Sequence, residues 1–171
     1  RYPDRWVRFH SLPEAQRYPA GEADWTILLD RQNTIIETLV GPRAELLLVT
    51  GCYGDDGAIS LDACLAETAL RRFDYAVLPA VPLHAIDPEY YQPDGLYQPV
   101  FATASWKYGA FDDVLREVAE DSIRAFFVSV AHQCLLAPYD GGLDVIVKDT
   151  ATRDELKARF RPWLSDREDG L

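Results

Sequence analysis

The sequence predicts an α+β domain: a mainly antiparallel sheet with a C-terminal three-strand meander, packed by three to four helices. One observation is the stretch Glu22 to Val40, where Trp25, Leu28, Leu29, Ile35, Ile36 and Leu39 recur at three- and four-residue steps. That is the period of a helix with one buried face. A second is the set of three short apolar segments between residues 125 and 148, joined by connections too short for a parallel crossover. The third is composition. With 48% hydrophobic and 26% charged residues over 171 positions, the chain can bury a full core, and its length favours a single domain over residues 1–171.

In chain order, Arg5 to His10 alternates large apolar with polar residues and reads as a short strand, stopped by Ser11-Leu12-Pro13. The helix over 22–40 opens on Glu22 and Asp24, which suit the positive end of its dipole, and ends at Gly41-Pro42. Leu46 to Thr50 is a continuous apolar run of strand length, and Gly51 to Gly57 reads as a loop. Leu61 to Arg72 carries a helical stripe, and Phe73 to Leu78 reads as a strand. Pro79, Pro82, Pro88, Pro93 and Pro99 then predict a stiff extended loop over 79–99, long enough to be functional more often than average.

Val100 to Lys107 reads as a strand and Ala110 to Asp121 as a helix with Phe111, Val114, Leu115 and Val118 on its inner face. The meander follows: Ala125–Val130, Gln133–Ala137 and Leu143–Lys148, the last two joined by a turn at 138–142 in which Gly141 and Gly142 can take positive φ. Asp149-Thr150 caps a final helix over 151–160, and Pro162 ends it.

The net charge of −11, from 28 acidic and 17 basic residues, sets up a field that repels phosphate backbones and anionic lipid. Nucleic acid and membrane are therefore not expected partners. No stretch approaches the roughly 20 apolar residues of a membrane span, and the chain opens on Arg1 rather than Met, as a trimmed product would. Cys52, Cys64 and Cys134 are odd in number and lack C-x-x-C or His spacing. They read as reduced residues of a cytoplasmic protein, with a Cys52–Cys64 disulfide as the lesser alternative.

Four segments resemble a bacterial family of domains of unknown function, number 3885: RFHSLPEAQRYP at 8–19, RQNTIIETL at 31–39, APYDGGLDVIVKD at 137–149 and RDELKARFRPWLSDREDGL at 153–171. The resemblance implies one domain spanning the chain. It implies no activity, catalytic residue or cofactor.

Motifs for chemistry are sparse. Asp140 and Asp144 lie four apart around a tight turn, a spacing that suits a divalent cation or acid–base work, but an Asp before Gly-Gly is also ordinary hairpin chemistry. Asp55 and Asp56 lack the oxygen ligands of a calcium loop. His10, His84 and His132 are scattered, and neither Ser129 nor Cys134 beside His132 sits in a nucleophile motif. No phosphate-binding glycine loop occurs. No cofactor or metal site is expected, and the chain leans away from being an enzyme.

The stronger signal is aromatic. Tyr90, Tyr91, Tyr97, Trp106 and Tyr108 cluster in or beside the proline loop, followed by the acidic residues Asp112, Asp113 and Glu117. Tyrosine and tryptophan anchor protein interfaces, and acidity speeds encounter with a basic partner. The leading expectation is a protein-binding module, such as an immunity protein or antitoxin that neutralises a basic toxin domain. The alternatives are a small hydrolase-like enzyme using His132, Asp140 and Asp144, and a structural or regulatory domain of a larger assembly.

Overall fold

A computed structural model describes residues 3–55 and 59–164. Its strands are β1 (Trp6–His10), β2 (Glu45–Gly54), β3 (Ala76–Val77), β4 (Val81–Pro82), β5 (Leu96–Ser105), β6 (Phe126–Ser129), β7 (Cys134–Tyr139) and β8 (Gly142–Ile146). Its α-helices are α1 (Glu22–Val40), α2 (Leu61–Leu65), α3 (Asp112–Ala119) and α4 (Thr150–Arg159). All described strand pairs are antiparallel. The sheet runs β1-β8-β7-β6-β2-β5-β3, with β4 also pairing with β5. The expected meander is β6-β7-β8, and the N-terminal strand completes that side by pairing with β8. No helix among the described residues is long and apolar enough to cross a membrane.

Helix α1 has the expected bounds. Its chain reversal is made by Gly41, at φ 75°, whose N–H donates to the Glu37 carbonyl. Helix α4 begins where Asp149 accepts the Thr152 N–H at 2.8 Å. Residues on one face of the sheet, including Phe9, Leu48, Val100, Phe127, Leu136 and Val145, pack with Leu28, Ile35 and Ile36 of α1, Val114 and Leu115 of α3, and Leu156 of α4. At the centre Trp106 and Phe111 stack in parallel with centroids 5.4 Å apart, and Phe127 meets both edge-on.

Several boundaries differ from the sequence reading. The expected helix over 61–72 breaks after Leu65, because the Thr68 hydroxyl donates to the Leu65 carbonyl and accepts the Leu70 N–H, starting a short 3-10 turn at Ala69–Arg72 instead. The strand expected at 73–78 shrinks to Ala76–Val77. Strand β2 continues through the expected loop as far as Gly54 because β5 begins at Leu96 and pairs with it residue by residue, Pro99 lying opposite Gly51. Proline lacks an N–H, and here it contributes its carbonyl, which accepts from the Leu78 N–H. The proline segment is thus partly sheet.

Two corrections bear on chemistry. Cys52 and Cys64 are joined in a disulfide, with Cα atoms 6.3 Å apart, instead of being reduced. The extended β2 carries Cys52 on its inner face to where α2 packs, and the first turn of α2 brings Cys64 over it. At the β7–β8 hairpin, neither Gly141 nor Gly142 takes positive φ; the left-handed glycines described are Gly41 and Gly109. Gly142 is required for another reason: a Cβ there would run into the Phe9 carbonyl oxygen and stand 2.8 Å from the Tyr139 hydroxyl.

Candidate functional site

The hydrolase-like trio is not assembled. His132 is exposed in the β6–β7 turn and Asp140 lies at the β7–β8 turn, so all of β7 separates them, roughly 20 Å at about 3.3 Å per residue. Each carboxylate already has its own arginine. Arg8 holds Asp144 with two bonds of 2.7 and 2.8 Å. Asp140, buried at the hairpin tip, accepts from Arg17 Nε at 2.7 Å and from the Tyr18 hydroxyl at 3.2 Å. Burial pushes the Asp140 carboxyl up, but Arg17, Tyr18 and the Gly141 N–H outweigh it and hold it below the usual carboxylate range. No group of three or more His, Cys, Asp or Glu arranged to hold a metal ion occurs among the described residues. Of the Asp55–Asp56 pair, Asp56 lies outside the described residues.

The aromatic and acidic candidates disperse. Trp106 is fully buried in the core and cannot touch a partner. Asp112 accepts from the Asn33 amide, Asp113 pairs with Arg72, and Glu117 accepts the Ala69 N–H through both oxygens. These carboxylates tie α3 to α1 and to the 69–72 turn rather than forming a free acidic face. Tyr108 is exposed and donates to Asp30. Tyr90, 76% exposed, meets Tyr91 edge-on in a turn closed by a 2.9 Å bond between His84 Nδ1 and the Tyr91 carbonyl. Tyr97 lies elsewhere, on β5 against Tyr53 with centroids 4.9 Å apart.

Tyr97 marks a feature that no single motif encodes. Side chains alternate faces along a strand, so the pairing registers place residues in rows across the face opposite the helices. One row runs Trp6, Ile146, Leu135, Val128, Leu47, Thr103. The next runs Arg8, Asp144, Ala137, Phe126, Val49, Phe101, Ala76, with Phe126 and Ala137 aligned by the register of their neighbours. These side chains keep part of their surface in solvent, whereas the alternate residues of β1, β2, β6, β7 and β8, such as Val7, Leu48, Phe127, Leu136 and Val145, are buried against the helices.

The outer face is therefore broad, apolar and almost free of charge. At its β1 end Arg8 lies over the rings of both Trp6 and Tyr139, 5.1 and 5.0 Å from their centroids. Burial pushes the Tyr139 hydroxyl up to about 12. At the opposite corner Leu47, Val128, Val130 and His132 line a shallow depression of ≈ 140 Å³. Depletion of charge together with Trp, Tyr and Arg, here at one end of the face, is the composition of an interface.

A signal for this face was present in the sequence. Leu46-Leu47-Leu48-Val49, Phe126-Phe127-Val128 and Leu135-Leu136 have no polar alternate, which is how strands covered on both faces read.

The four segments that carry the family resemblance also meet in space. Gln32 of the second segment donates to Ser11 of the first at 2.8 Å, and Arg17 of the first holds Asp140 of the third. Arg31 lies over Trp163 of the fourth. The family of domains of unknown function DUF3885 matches residues 1–168. The chain belongs to this family. No curated protein and no solved structure matches it. The convergent segments of the family domain close the β1–α1 connection over the tip of the β7–β8 hairpin, an arrangement that secures the end of the sheet and leaves its outer face open.

Proposed function

We propose that this protein is a protein-binding module whose contact surface is the outer face of its sheet. The observation that carries the reading is the pair of apolar rows from Trp6 to Thr103 and from Arg8 to Ala76. Soluble monomers rarely leave contiguous apolar patches beyond a few hundred Å² in water, and larger ones mark interaction sites.

The immunity protein or antitoxin form of this reading draws on the net charge of −11, which would speed encounter with a basic toxin domain. A structural or regulatory role in a larger assembly is supported by the same open face. The hydrolase reading has lost its geometry, since His132 and Asp140 stand at opposite ends of β7. As to location, the Cys52–Cys64 bond favours an oxidising compartment over the reducing cytoplasm.

The test is site-specific photo-crosslinking in the native host. A benzophenone side chain at Leu135, in the middle of a row, captures a discrete polypeptide in stoichiometric yield, and the same group at the exposed Glu155 of α4 does not. Capture of nothing from Leu135 overturns the reading.

A further inference from the structure

We infer that the outer face of the sheet is covered by a second copy of this chain, packed sheet against sheet about a two-fold axis. This rests on the protein-binding reading and names the partner.

Charge decides between a copy and a basic partner at this face. Burying an ion without a counter-ion is costly, and a basic partner laid on these rows would find almost none of the chain's acidic residues. The one carboxylate within the rows, Asp144, is taken by Nε and one terminal nitrogen of Arg8. Glu45 stands at the rim beside Leu47. A copy brings the same internally neutral rows, so both partners enter the contact with no unpaired charge at its centre.

Area and shape agree. Six neighbouring strands, β1 to β5 across the order of the sheet, at about 4.8 Å spacing and roughly 17 Å length give ~500 Å² in projection per copy. Two copies bury on the order of 1,000 Å² or more, which reaches the size of a specific interface. Twisted sheets pack face to face about 10 Å apart at a modest angle, and a two-fold axis makes such a contact self-complementary. With the axis parallel to the strands, the Trp6–Arg8–Tyr139 cluster of one copy lies towards the Val49 and Phe101 side of the other, and the helices remain outermost in both.

Sedimentation velocity and light scattering across micromolar concentrations test this on the full chain. The wild type runs at twice the 19.3 kDa chain mass. Val128→Asp and Leu135→Lys, both pointing away from the core, weaken the dimer about tenfold or more while keeping the wild-type circular dichroism and cooperative unfolding. Leu135→Gln, which adds no charge, serves if either variant fails to fold. Tyr90→Ser, on the exposed turn, leaves the dimer intact.

A wild type that stays monomeric throughout overturns the second copy as occupant, while capture from Leu135 of a different polypeptide would keep the face as a binding surface. A dimer unmoved by both row variants, or one lost in Tyr90→Ser, overturns the placement of the contact.

Discussion

Arg17 Nε donates to Asp140 Oδ2 at 2.7 Å across 123 positions of sequence, tying the segment after β1 to the tip of the β7–β8 hairpin. Burial pushes the Asp140 carboxyl up, but its partners hold it below the value it has in the unfolded chain. Its contribution to stability is thus fully present above the unfolded pKa of about 4 and is lost as pH falls through the lower folded value. Chemical denaturation of wild type and Asp140→Asn should differ most near neutrality and converge below about pH 4. An equal difference at both ends would contradict this role.

Thiol chemistry separates the three cysteines. Burial pushes the Cys134 thiol up to about 11, and Cys52 and Cys64 are joined. Native protein treated with an alkylating reagent should therefore take up no label, as read by intact mass. After reduction the exposed Cys64 labels first. The bond closes a loop with sequence separation 12, so the Cys52→Ala/Cys64→Ala double variant should lose about 2–3 kcal/mol of stability. Ready labelling of the native protein would contradict the pairing.

The aromatic cluster should divide on substitution. Trp106 is fully buried between Phe111 and Phe127, so Trp106→Ala should cost about 3–5 kcal/mol. Tyr90 is 76% exposed, and Tyr90→Ala should stay within about 0.5 kcal/mol. Urea unfolding curves of the two variants measure both.

Gly142 offers a sharper steric test. A Cβ there meets the Phe9 carbonyl oxygen, whereas one at Gly21 meets nothing within 4 Å. Gly142→Ala should destabilise by about 1–3 kcal/mol, whereas Gly21→Ala should cost only the difference between a glycine and an alanine N-cap on α1, about 1 kcal/mol or less. Equal thermal midpoints for the two would contradict the register of β1 on β8.

Periodicity made α1 legible to the residue, because Gly41-Pro42 and the Leu28–Ile36 stripe agree on its bounds. The meander was legible from its short connections. What depends on distant partners is not legible in the sequence: β2 reaches Gly54 because β5 pairs along its whole length, and that extension brings Cys52 to Cys64. The residues expected to form a partner surface beside the proline loop come together only in part, for a related reason. Composition placed Trp106, Asp112 and Glu117 together in sequence, but core packing and hydrogen bonds to Asn33 and Ala69 use them. The outer face is visible in the sequence only as strands lacking a polar side, a pattern that acquires meaning once the described α-helices are found to pack on the inner face.

Hydroxyl-radical footprinting with peptide mass spectrometry reads which side chains lose solvent when the protein associates. Oxidation of Trp6, Phe126, Leu135 and Tyr139 should fall as concentration rises through association, while Tyr90 stays as reactive as in the dilute protein. Protection confined to the turn around Tyr90, with the outer-face residues still oxidised, would contradict the claim that the open face of the sheet is the binding surface.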